Sequence, residues 1–171
     1  MSDATVRVML MAVLAVAALC LSPTASANSS GSPVCTITLA QMDQVDLTAM
    51  VVSPNGWSIN VPISYTSGTP LTVAIANSNT SKQFRGLLLW ATNAGGNLVG
   101  TWTVPAGYAA PSSCGGSSLT HASATAKSQR SFSFSPPAAG SGTLTFRAVV
   151  TEECGPGPCR SWHAFPNAIS V

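Results

Sequence analysis

Apolar and polar positions fall into short runs along this chain, and from residue 34 onward their spacing is that of strands, with no convincing helical period. The strongest apolar run outside the N-terminus is Phe-Arg-Gly-Leu-Leu-Leu-Trp-Ala at residues 84–91, which ends at the turn-forming Asn-Ala-Gly-Gly-Asn of residues 93–97. It is too short for a buried helix, so the pattern predicts a central strand covered on both faces. The cleanest period of two comes later. Leu144, Phe146, Ala148 and Val150 alternate with Thr143, Thr145, Arg147 and Val149, while Leu71, Val73 and Ile75 alternate with Thr72 and Ala74 in a half-buried strand.

Around these lie further β-rich segments at residues 34–39, 47–52, 57–61 and 98–104, a short one near Leu119, one carrying Phe132 and Phe134, and a final strand over residues 161–165 and 168–171. Turn chemistry separates them: Asn55-Gly56 is a hairpin dipeptide, and residues 105–111 and 136–142 are rich in Pro and Gly. Residues 77–83 and 112–129 read as polar connections. Eight or nine short strands of this kind indicate an all-β chain folded as an antiparallel β-sandwich. Trp90 belongs in its core, whereas Trp57, beside a hairpin turn, is balanced between core and exposed contact.

The N-terminus is of another kind. Arg7 precedes an apolar run at residues 8–21, too short to span a bilayer, and Ser22-Pro23-Thr24 leads into Ala25-Ser26-Ala27. A signal peptide over residues 1–27 is expected, with one mature domain over residues 28–171. Leu19 stands where a lipidation signal at Cys20 wants a small residue. No second apolar span follows, so a secreted, extracellular protein with no stable membrane insertion is expected. The formal net charge is +2 and charged residues are 7% of the chain, which gives no reason to invoke nucleic acid.

Cys35, Cys114, Cys154 and Cys159 survive processing, an even number in an oxidising compartment, and allow three pairings. The favoured one joins Cys35 to Cys114 and Cys154 to Cys159, because Gly-Pro-Gly-Pro between the last two is a turn able to bring their side chains together.

Five segments together resemble the reeler (reelin N-terminal) domain of reelin, of spondin-type matrix proteins and of small secreted defence proteins of invertebrates. They are Tyr65-Thr-Ser-Gly68 leading into Leu71-Thr-Val-Ala-Ile75, the run at residues 84–91, Cys114 followed by Leu119-Thr-His121, Ser131-Phe-Ser-Phe-Ser-Pro-Pro137, and residues 142–150. The resemblance implies an immunoglobulin-like sandwich and a disulfide from an early cysteine to the one before Thr-His, here Cys35 to Cys114. Phe134 with Pro136-Pro137 stands where the family usually has an aromatic before Ala-Pro, and the Met-Pro and His that often follow the first cysteine are missing.

No catalytic constellation is legible. The Gly-x-Ser-x-Gly elbow of a serine hydrolase is absent, and the neighbouring Glu152 and Glu153 would point to opposite faces of a strand, so they read as solvated loop residues. A blue-copper site lacks its late Met, since none follows Met50, and an N-terminal copper site would need His where Asn28 stands. No enzyme activity, metal or cofactor is therefore expected, and His121 and His163 read as polar strand-end residues. Asn28-Ser-Ser30 and Asn79-Thr-Ser81 fit the N-glycosylation pattern. Lys82 with Arg85, and Lys127 with Arg130, would suit an anionic glycan if loop and strand bring them together. The expected function is a secreted, non-catalytic module that binds glycan or protein at a cell, matrix or microbial surface, in adhesion or innate immunity. A structural component of an extracellular matrix or wall is the alternative.

Overall fold

The computed structural model describes residues 30–37, 56–128, 130–139 and 141–152, together with the backbone of the strand Ser161–Ile169. Among these residues two antiparallel sheets face one another. The smaller has the order β1 (Trp57–Asn60), β2 (Leu71–Asn77), β7 (Arg130–Ser135), β4 (Thr101–Trp102). The larger runs β5 (Tyr108–Ala109), β6 (Ser118–His121), β3 (Phe84–Thr92), β8 (Leu144–Glu152), β9 (Ser161–Ile169). The expected sandwich is the fold observed.

β3 is the middle strand of the larger sheet, and the apolar run is legible in its packing. Leu87, Leu89 and Ala91 face the inter-sheet core, while Leu88 and Trp90 join Val149 on the outer face beneath Ile37 and Leu98. Strict alternation from Leu87 would turn Phe84 outward. A register shift between Phe84 and Gly86 reverses it, so that Phe84 is also buried. Facing β3 across the core are Val73 and Ile75 of β2 and Phe132 and Phe134 of β7. Phe134 meets Phe146 of the other sheet edge-on at 5.1 Å and Trp102 at 4.8 Å. Burial of each such ring stabilises by about 1.5–3 kcal/mol, which makes this cluster a main tie between the layers.

The expected strand at residues 98–104 is instead a crossing between sheets. Leu98 bridges Thr92 of β3, and three residues later Thr101 pairs with Ser135 of β7. Gly100 lies between them at φ 69°, where an added Cβ would strike the Phe134 ring and approach Ser135 O to 2.7 Å. Only a residue without a side chain turns the chain here. β5, inside the segment expected to be loop, is a two-residue strand paired to β6, too short to leave a period in the sequence.

Residues 34–37, expected to begin a strand, form none. They are held to β6 by other means: Cys35 is disulfide-bonded to Cys114 with Cα atoms 5.4 Å apart, Ser118 Oγ donates to Cys35 O at 2.6 Å, and Ser32 N–H donates to Thr120 Oγ1 at 2.8 Å. Side chains therefore replace the ladder, and Ile37 is delivered onto Leu88 and Trp90. The segment at residues 1–27, Asn28, the strand expected at residues 47–52, Asn55 and the Cys154–Cys159 pair lie outside the described residues.

Candidate functional site

Loops β2–β3 and β6–β7 meet at one end of the sandwich, where β2 and β8 finish and β3 and β7 begin. The first loop is folded by its own polar side chains. Asn77 Oδ1 accepts the Asn79 N–H at 2.8 Å, Asn79 Oδ1 accepts the Ser81 N–H at 3.0 Å, and the Lys82 N–H closes the turn on Asn79 O at 3.0 Å. This turn delivers Lys82 to Glu152, with Nζ 3.0 Å from Oε2. Ser81, Lys82, Gln83 and Glu152 line a shallow pocket of about 210 Å³.

Glu152 ends β8 with 9% exposure, and its other oxygen accepts the Trp57 indole N–H at 2.8 Å. The expectation that it is a solvated loop residue is thereby corrected: β8 runs two residues further than its alternating pattern, and two donors compensate the buried carboxylate. For Trp57, left open between core and contact, the structure decides for the core. At 2% exposure it packs edge-on against Phe84 with ring centroids 5.7 Å apart, and so offers no surface for a ligand.

The second loop gathers three cations. Arg85 Nη1 donates to Ala124 O at 3.0 Å, and Lys127 Nζ donates to Ser123 O at 2.6 Å, to Thr125 O at 2.7 Å and to Arg85 O at 3.4 Å. Lys127 and Phe84 also exchange both backbone hydrogen bonds, at 2.8 and 2.9 Å. The Lys127 ammonium thus spends its three donors on backbone carbonyls, two of the loop and one of β3, and what it contributes outward is charge. Burial, and then the neighbouring Arg85, lower its pKa from the ordinary 10.5.

Tyr108 of β5 lies under this group. The Arg130 guanidinium carbon is 5.3 Å and Lys127 Nζ 6.0 Å from its ring centroid, while Phe132 packs edge-on at 5.0 Å. Arg130, the first residue of β7, is exposed. Burial raises the Tyr108 pKa above 10.0, and the Arg130 charge offsets part of that rise. Among the described residues the carboxylate side chain present is Glu152, held by Lys82 and Trp57, while Arg85, Lys127 and Arg130 gather positive charge into a basic rim.

The structure therefore divides the expected basic pairs differently. Lys82 is committed to Glu152, whereas Arg85 joins Lys127 and Arg130. His121 ends β6 with Nδ1 accepting the Leu87 N–H at 3.1 Å, a structural bond that carries the β3–β6 contact one residue past its last ladder pair, Leu88 with Thr120. No group of three or more His, Cys, Asp or Glu residues placed to hold a metal occurs among the described residues.

A sequence model of the Reeler domain matches residues 42–154. The chain belongs to that family. Among curated proteins a relative is "Putative defense protein 1" of Antheraea mylitta, 30% identical over 110 residues, which are 60% of this chain and 65% of that protein. The chain thus spans slightly less than two thirds of the relative's length. Among solved structures, the Reelin-N domain of F-spondin superposes with a TM-score of 0.58 at 17% identity, covering 71% of this chain and 90% of that one. The human F-spondin reeler domain gives 0.56 at 17% identity, covering 71% and 93%. These neighbours place the reeler fold. Tyr108 was not marked in the sequence because it sits in a Pro- and Gly-rich stretch, and Glu152 reads there as a solvated residue because its pairing with residues 57 and 82 is visible only once the sheets are stacked.

Proposed function

We propose that this reeler domain is a secreted, non-catalytic binding module that recognises an anionic glycan at a cell, matrix or microbial surface. The observation carrying this reading is the placement of Lys127 and Arg130 over the Tyr108 ring, with the Arg85 charge beside Lys127, at one end of the sandwich. Arg130 supplies an exposed planar fork suited to a carboxylate or sulfate, and the Tyr108 ring holds the guanidinium in place. The Cys35–Cys114 disulfide supports an oxidising, extracellular setting. A role in host defence follows the naming of the Antheraea mylitta relative and belongs to the same proposal.

The test is an array of neutral, uronic-acid and sulfated glycans, together with whole microbial cells, probed with the oxidised domain. Retention on the acidic members is expected, weakening with added salt and falling at least tenfold in Arg130→Glu. Binding confined to neutral sugars, or unaffected by Arg130→Glu, removes the proposal.

A further inference from the structure

We infer that Asn79 is an acceptor for an N-linked glycan, carried on the turn that delivers Lys82 to Glu152. The inference rests on the extracellular reading above. The acceptor pattern Asn79-Thr80-Ser81 falls wholly between β2, which ends at Asn77, and β3, which begins at Phe84, so no ladder covers it. All three residues are exposed. The local conformation adds what the motif alone lacks. Asn79 Oδ1 accepts the Ser81 N–H at 3.0 Å, which folds the carboxamide back over the turn toward the residue whose hydroxyl the pattern requires. The turn is anchored on both sides, by Ser78 N–H to Gly56 O and Lys82 N–H to Asn79 O, each 3.0 Å. The acceptor therefore stands on a fixed, outward turn, and the attached sugar would emerge at the lip of the Lys82–Glu152 pocket.

The donor is an oligosaccharide joined through pyrophosphate to a polyprenol lipid. Asn79 Nδ2 forms a bond to the anomeric carbon, the bond from that carbon to the pyrophosphate oxygen breaks, the lipid pyrophosphate leaves, and the Nδ2 proton passes to a base of the transferring enzyme.

The full chain, secreted from a eukaryotic host, is digested and its glycopeptides are mapped by mass. The peptide containing Asn79 is expected to carry hexosamine-based mass that a glycan-releasing amidase removes, converting the asparagine to aspartate. Ser81→Ala keeps the N–H that Asn79 Oδ1 accepts and deletes only the hydroxyl; it is expected to abolish the modification, and Ser81→Thr to preserve or raise it. A secreted, disulfide-bonded protein with an unmodified Asn79 peptide, or with sugar on Asn28 alone, overturns the inference and leaves the extracellular reading standing. Retention of the unmodified chain inside the cell overturns both.

Discussion

Trp57 and Glu152 close the sandwich at one end, the indole N–H of the β1 residue donating at 2.8 Å to the carboxylate of the β8 residue in the opposite sheet. The same carboxylate takes Lys82 through its second oxygen at 3.0 Å. One buried acid thus joins both layers and the β2–β3 turn, and its two partners differ in burial: Trp57 is core, while the Lys82 side chain is 41% exposed.

That difference predicts unequal costs. Glu152→Leu leaves a buried indole N–H without an acceptor and is expected to destabilise by about 1–3 kcal/mol, whereas Lys82→Met removes a half-exposed ion pair worth less than about 1 kcal/mol. Urea denaturation of the two variants checks the order. Equal losses, or a larger one for Lys82→Met, would contradict it.

The Cys35–Cys114 bond closes a long loop, with 79 residues of sequence separation. On chain entropy alone its removal destabilises by about 4.5 kcal/mol, a large share of the roughly 5–15 kcal/mol of an ordinary domain. The double variant Cys35→Ser/Cys114→Ser is therefore expected to be largely unfolded at 37 °C, with residues 30–37 released from β6. At a lower temperature, where the fold persists, amide hydrogen exchange reads the local release: protection at Leu88 and Trp90 should fall more than at Val73 and Ile75, because Ile37 covers only the former pair.

Gly100 and Gly96 both have positive φ, 69° and 78°, yet only Gly100 has Phe134 against the position of a Cβ, and nothing lies within 4 Å at Gly96. Gly96→Ala is expected to cost about 1 kcal/mol from backbone strain, and Gly100→Ala a further 1–3 kcal/mol, roughly, from displacing the Phe134 ring. Melting temperatures of the two variants measure the gap. A matched pair would show that the crossing between sheets has room to spare.

The reach of the sequence can be judged from particular elements. β3 and β8 were legible because a continuous apolar run and a clean alternation each have one structural solution, and the five segments in register led to the family. The crossing at Gly100 was not, since Leu98 to Val104 is equally β-rich whether it stays in one sheet or changes sheets. Of the basic residues, proximity in sequence joined Lys82 to Arg85, but the β2–β3 turn sends one to Glu152, while the β3 bulge places the other beside Lys127. Trp57 was undecided for a related reason: a residue beside a turn faces inward or outward according to sheet pairing, and here it pairs with Asn77 at the buried edge.

The alkaline limb of stability tests the rim without any ligand. Tyr108 ionises above its ordinary 10.0 because burial penalises the phenolate, and Arg130 pulls the value partly back. Between pH 10 and that raised value the folded protein keeps a proton that the unfolded chain has lost, so the contribution of Tyr108 is complete below about pH 10 and is lost as pH rises through the folded value. Lys127 slopes the other way. Its lowered pKa means that the unfolded chain holds the extra proton, and its contribution grows as pH rises toward 10.5. Comparison with Tyr108→Phe isolates the first effect: relative to that variant, the parent protein should lose stability as pH passes 10. Phenolate absorbance should show a late-ionising component that is absent from Tyr108→Phe and later still in Arg130→Gln, where the stabilising charge over the ring is gone. An earlier midpoint in Arg130→Gln would mean that the guanidinium does not sit over Tyr108, and the basic rim would lose the contact that holds Arg130 in place.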